Sequence, residues 1–182
     1  MIVWILRAIH VRKSHNHETV YPRSAAGGIT LTSKDDAYWN TVHTEHSMAG
    51  LPIPPGLIAV IQAGKWNPPT DPQVYIDVFG ELPDHPMFYG LDQMACENRS
   101  WRRSSVEEEF GNPVGGRSVG IDPTRSVLIG DLAPDMPFAL DYRDSEESPN
   151  VLYRTYRGII VWVRIADDVG ELLERLKITD PS

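Results

Sequence analysis

The sequence predicts an α+β fold: a single mixed, largely antiparallel sheet with helices packed on it. Three observations carry that expectation. The last third of the chain runs through short apolar strands separated by tight connections, the pattern of an antiparallel meander. It then closes on an amphipathic helix, and strands followed by a helix favour helices laid on one sheet. Finally, 182 residues with 41% hydrophobic and 23% charged residues can bury a core without staples. The single cysteine, Cys96, excludes an internal disulfide framework and the common multi-cysteine zinc modules.

Residues 1–50 form an N-terminal extension whose structure the sequence leaves open; it is rich in polar residues, with one short strand expected around Ile29–Thr32. The opening run Ile2–Leu6 is interrupted by Arg7, which is far short of the roughly 20 apolar residues a membrane span requires. A signal peptide would carry its basic residues before the apolar run, whereas Arg12 and Lys13 follow it. The expectation is therefore an unexported, cytoplasmic chain.

The α+β domain is expected over residues 51–182. Pro52, Pro54 and Pro55 punctuate its start, and Leu57, Ile58 and Ile61 follow at helical spacing up to Gly64, so 55–63 reads as a short helix. Gln73–Phe79 reads as a strand by alternation. Leu91, Met94 and Ala95 suggest a turn or two of helix. Ser105 with Glu108 fits a capping box before a helix ending near Gly111, and 111–120 reads as a glycine-rich loop. Val127–Ile129 is a short apolar run, and Pro137–Tyr142, Val151–Tyr156 and Ile159–Ile165 read as strands, the last two joined at Gly158. In the last, Ile159, Val161, Val163 and Ile165 share one face and Trp162 the other. Asp168 caps the closing helix with Glu171 at its third position, and Val169, Leu172, Leu173 and Leu176 form its apolar stripe.

Chemistry-bearing residues are sparse. His15 with His17, and His43 with His46, have ligand-like spacings but fall in no regular element, so they read as solvated loop histidines and no metal is expected. Cys96 lies next to Glu97, nothing in the sequence points to a histidine that would activate it, and it reads as a buried, inert thiol. The glycines at 111–120 match no phosphate loop and no dinucleotide fingerprint, so no cofactor is expected.

Charge is more informative. The formal net charge is −8, which argues against direct nucleic-acid binding. Residues 131–147 concentrate Asp131, Asp135, Asp141, Asp144, Glu146 and Glu147 against Arg143 alone, and read as a solvated acidic face. Asp141, alternating with Leu140 and Tyr142, should point away from the core. Tyr142, Tyr153 and Trp162 are candidate aromatic anchors for a partner, because such residues dominate interface hot spots. The rival reading of the acids is a hydrolase using Asp131 and Asp135, which requires the carboxylates to converge in a pocket.

The stretch from Ser126 to Arg154 and the run Ile160–Leu176 resemble the C-terminal half of the SUKH superfamily, the Smi/Knr-like group of bacterial toxin-immunity proteins and fungal cell-wall regulators. Ile129-Gly130-Asp131 matches the family's strand and turn, Pro137 to Arg143 and Pro149 to Tyr153 its next two strands, Trp162 to Ala166 the tryptophan strand, and Asp168 to Leu176 the closing helix. Leu51 to Pro55 and Ala63 to Trp66 resemble the opening helix of bacterial members. The likeness covers about 126–177 well and 51–71 more weakly; residues 1–50 have no counterpart. It implies a sheet flanked by helices and a non-enzymatic binding role, typically neutralising a toxin that is often a nuclease. The family carries no shared catalytic residues to transfer. The expected partner is a basic toxin domain, met through Asp131, Asp135, Tyr142, Asp144, Glu146, Glu147, Tyr153 and Trp162; a regulatory scaffold is the other non-enzymatic alternative.

Overall fold

The computed structural model describes residues 47–103, 110–111 and 120–178, which belong to one unit of the chain. They form an α+β fold. A two-residue hairpin pairs β1 (Ser47–Met48) with β2 (Leu51–Pro52). The main sheet has five strands: β3 (Met87–Phe88), β4 (Ser126–Asp131), β5 (Pro137–Asp141), β6 (Asn150–Tyr156) and β7 (Ile160–Ala166). They lie side by side in chain order, every pair antiparallel, as expected of a meander. Four helices are described: α1 (Pro55–Gln62), α2 (Pro72–Phe79), α3 (Leu91–Arg103) and α4 (Val169–Arg175). No helix among the described residues is long and apolar enough to cross a membrane.

The register of β5 on β6, Phe138 opposite Tyr153 and Ala139 opposite Leu152, assigns side chains to the two faces of the sheet. On one face Phe138 meets Trp66, Phe79 and Phe88, and Tyr153 meets Phe79. Helices α2 and α4 cover this face, with α1 against α4. The closing helix forms as its sequence requires: the Asp168 carboxylate accepts from the Glu171 N–H, and Val169, Leu172, Leu173 and Leu176 are buried. Gly130 on β4 lies beneath the Phe138 ring, and a Cβ there would also fall 2.7 Å from the Met87 carbonyl. A register shift between Leu128 and Gly130 accompanies this close approach.

Helix α3 covers the other face. Asn98, fully buried, donates to the carbonyls of Met94 and Leu128 at 2.8 and 2.9 Å and accepts from the Leu128 N–H at 2.8 Å. It therefore fastens helix to strand while satisfying its own amide. Beside it, Trp101 donates to Ser126 Oγ and packs its ring against Trp162.

Several expectations need correcting. Gln73–Phe79 is helix α2, not a strand. Asp71 caps it through the Gln73 N–H, Pro72 takes the first turn, and Gly80, at φ 81°, ends it in the left-handed region. Val74, Tyr75, Val78 and Phe79 are buried while Ile76 and Asp77 are exposed, which is a helical stripe and not an alternation. The turn or two around Leu91 is the 13-residue helix α3. Cys96 is exposed, on the side of α3 away from buried Met94, Asn98 and Trp101. Asp141 points inward and is almost fully buried. The helix α1 ends as expected near Gly64, at φ 66°. The expected strand at 29–32, the histidines at 15, 17, 43 and 46, and the capping box at Ser105 lie outside the described residues; so does the 111–120 loop, apart from a bridge between Gly111 and Gly120.

Candidate partner-binding surface

The fold divides the acidic stretch into three parts with different surroundings. Asp141, at the end of β5, is enclosed and faces Arg143. The Arg143 guanidinium donates to it through Nε at 2.9 Å and Nη2 at 2.8 Å, and Nη2 also reaches the Gly120 carbonyl. The Asp141 side chain is 5% exposed, so this pair is a buried structural one and offers nothing to a partner. Alternation predicts a solvated carboxylate only if the strand's other face is open; Arg143, two residues on, folds back over that face.

Asp131 and Asp135 bracket the β4–β5 turn and share a groove of about 430 Å³ on the α3 side of the sheet. Tyr89, Trp101 and Leu128 supply its inner wall, and Arg154 stands across from the acids. The Tyr89 hydroxyl donates to one oxygen of Asp131, and Arg154 Nη1 donates to the Asp135 carbonyl at 2.7 Å. Burial pushes the Asp131 carboxyl up to about 6, with the Asp135 charge adding to the rise and Arg154 opposing it. These two acids thus converge on one groove, the condition on which the hydrolase reading depends.

Asp144, Glu146 and Glu147 lie on the β5–β6 loop; Glu146 and Glu147 are exposed, while the Asp144 side chain is largely covered. The loop is held at both ends. Arg125 donates to the Tyr142 carbonyl at 2.7 Å and reaches Glu146 at 3.5 Å, while the Tyr142 N–H donates to the Arg125 carbonyl. Asp144 accepts from Asn150 at 3.1 Å and pairs with Arg164 at 3.3 Å. Beside this loop, Glu146 and Glu147 join Pro52, Ile53, Pro54 and Pro55 in lining a groove of about 370 Å³. The Tyr142 hydroxyl ties the two walls together by donating to the Pro52 carbonyl.

The three aromatic anchor candidates require correction. Tyr142 and Trp162 are 0% exposed and Tyr153 is 1% exposed, so none presents surface to a partner. Each has an internal role instead. Tyr142 braces the loop, Trp162 packs beneath α3, and Tyr153 donates to Glu81 at 2.8 Å. Burial raises both tyrosine hydroxyls well above the usual phenol range, and the Glu81 carboxylate adds to the effect at Tyr153. Trp66 and Trp101 are interior as well, whereas Tyr156 is exposed.

Sequence reasoning missed Tyr89 and Arg154, whose relation to Asp131 arises only from strand pairing. It read Pro52–Pro55 as punctuation; three prolines around one isoleucine signal a stiff apolar edge, but not what that edge faces. Among the described residues no three His, Cys, Asp or Glu side chains come together as a metal site requires. Compared with known proteins, the chain matches no family model, no curated protein and no solved structure.

Proposed function

We propose that the chain is a non-catalytic binding protein of the toxin-immunity kind, acting in the cytoplasm, which meets a basic protein domain through the acidic β5–β6 loop. One observation carries the reading: Glu146 and Glu147 are exposed, beside the part-covered Asp144 side chain, on a loop already braced by Arg125, Tyr142 and Arg164. A charged surface held in place before binding loses little conformational freedom on association. The net charge of −8 supplies a field of the sign that steers a basic partner. The SUKH-like order of motifs from Ser126 to Leu176 supports the same class.

The test is kinetic. Reversing Asp144, Glu146 and Glu147 to lysine should slow association with the basic domain recovered by affinity capture and flatten its salt dependence. Steering contributes about 10- to 1,000-fold to such rates, and dissociation should change less because these are rim charges. Association kinetics and a salt slope unmoved by the triple reversal would remove the acidic loop from the binding site.

A second reading, a hydrolase, is favoured by the sharing of one groove by Asp131 and Asp135, with Asp131 raised to about 6. A carboxylate near that value is suited to general-base work close to neutral pH. This reading requires Asp131→Asn to abolish turnover of some ester, amide or phosphoester substrate; the binding reading requires the same variant to leave partner affinity intact.

A further inference from the structure

We propose that the groove between Pro52–Pro55 and Glu146–Glu147 is where the partner inserts an apolar side chain flanked by basic residues; this rests on the binding reading above and gives it an address. The chemistry of the two walls differs. One wall is apolar and stiff: Pro52 lies in β2, Ile53 is anchored in the core, Pro54 accepts from the N–H groups of Leu57 and Ile58, and Pro55 opens α1. Proline fixes φ, so this wall has little freedom left to lose when something docks on it. The other wall is anionic. Glu146 is shared with Arg125 at 3.5 Å, and Glu147 has no ion-pair partner among the described residues.

Size and charge together select the occupant. A groove of about 370 Å³ stands at the small end of the range of roughly 300–1,000 Å³ for ligand pockets. It fits a side chain and its neighbours better than a cofactor. An acidic occupant would face Glu146 and Glu147 without compensation. A purely cationic one would leave the prolines wet. An apolar side chain between basic ones satisfies both walls, and the same charge complementarity links the groove to the steering surface around Asp144. Tyr142 is the positioning residue: its hydroxyl, bonded to the Pro52 carbonyl, sets the separation of the walls.

The probe is a capped Arg-Leu-Arg tripeptide titrated into the isotope-labelled full chain, followed by amide shifts. Saturable shifts at Ile53, Glu146 and Glu147, with a dissociation constant on the order of 1 mM, are expected for an isolated three-residue anchor. Glu-Leu-Glu should not bind, and Arg-Gly-Arg should bind about tenfold more weakly, equivalent to the loss of roughly 1.4 kcal/mol. Glu147→Gln, an exposed change that leaves folding alone, should weaken Arg-Leu-Arg several-fold. Tyr142→Phe should weaken it while leaving the response to Glu-Leu-Glu absent. Equal binding of all three peptides, shifts confined to other surfaces, or no shift at all would overturn the proposal. The two failures are distinguishable. If the triple reversal slows the basic partner but Arg-Leu-Arg neither moves the groove nor competes with that partner, the groove is wrong and the acidic loop stands. If the peptide fills the groove while the triple reversal, which inverts the charge of the groove's acidic wall, leaves partner kinetics unchanged, the groove is not where the partner docks and the proposal is overturned together with the acidic loop.

Discussion

Replacing Asp131 with asparagine should stabilise the folded chain at neutral pH, and the gain should disappear in acid. The folded carboxyl titrates at about 6, because burial and the neighbouring Asp135 outweigh Arg154. In the unfolded chain an aspartate titrates near 3.9. Between those values the folded state holds the extra proton, so stability falls as pH rises through roughly 4 to 6, and the penalty is complete above that window. At about 1.4 kcal/mol per pH unit the shift sets an upper bound near 3 kcal/mol. Asp131 is only partly enclosed, and solvent screening reduces this to roughly 1–2 kcal/mol. The Tyr89 hydroxyl donates to this carboxylate, and the amide oxygen of the substituted side chain would keep an acceptor for it. Glu97 and Arg103, which also line the groove, are unchanged by the substitution. Urea unfolding of both proteins from pH 4 to 8 reads the difference directly. Asp131→Asn should match the parent near pH 4, and above about pH 6.5 it should gain roughly 1–2 kcal/mol, or about 2–8 °C in melting temperature. A difference that is flat across this range, or a variant less stable at pH 7, would refute the reasoning about burial.

Three further outcomes follow from the packing. Leu172→Ala, at a fully buried site of α4, should cost about 2–5 kcal/mol in denaturant unfolding, and an unchanged midpoint would contradict its place in the core. Gly130→Ala forces a Cβ onto Phe138 and the Met87 carbonyl, so it should cost about 1–3 kcal/mol, whereas an added methyl at exposed Ala63 should be nearly silent in the same melting assay. Arg143→Ala strands the enclosed Asp141 carboxylate and should cost about 3–5 kcal/mol, and the double variant with Asp141→Asn should recover part of that loss.

The features that could be read from the amino-acid order are those that short-range chemistry controls. The α4 helix was legible because its cap, its capping glutamate and its apolar stripe all lie within nine residues of one another. The strands β5 to β7 and their antiparallel order were legible because alternation and tight connections are local signals, whereas β4 showed only as a short apolar run. Even the misread helix α2 carried its answer locally, in Asp71, Pro72 and Gly80, whose cap chemistry outweighs an apparent alternation of seven residues. Which face of each strand is covered, and by what, depended on the folded arrangement. Trp162 became interior because α3 brings Trp101 over it, and Tyr142 because β2 brings Pro52 to its hydroxyl, 90 residues away in the chain. Asp131, Asp141 and Glu147 lie within 17 positions of each other, yet one lines a groove, one is enclosed by an arginine and one is exposed. Charge is a property of the residue, but its solvation depends on what packs beside it, and that is set by long-range pairing that no local pattern records.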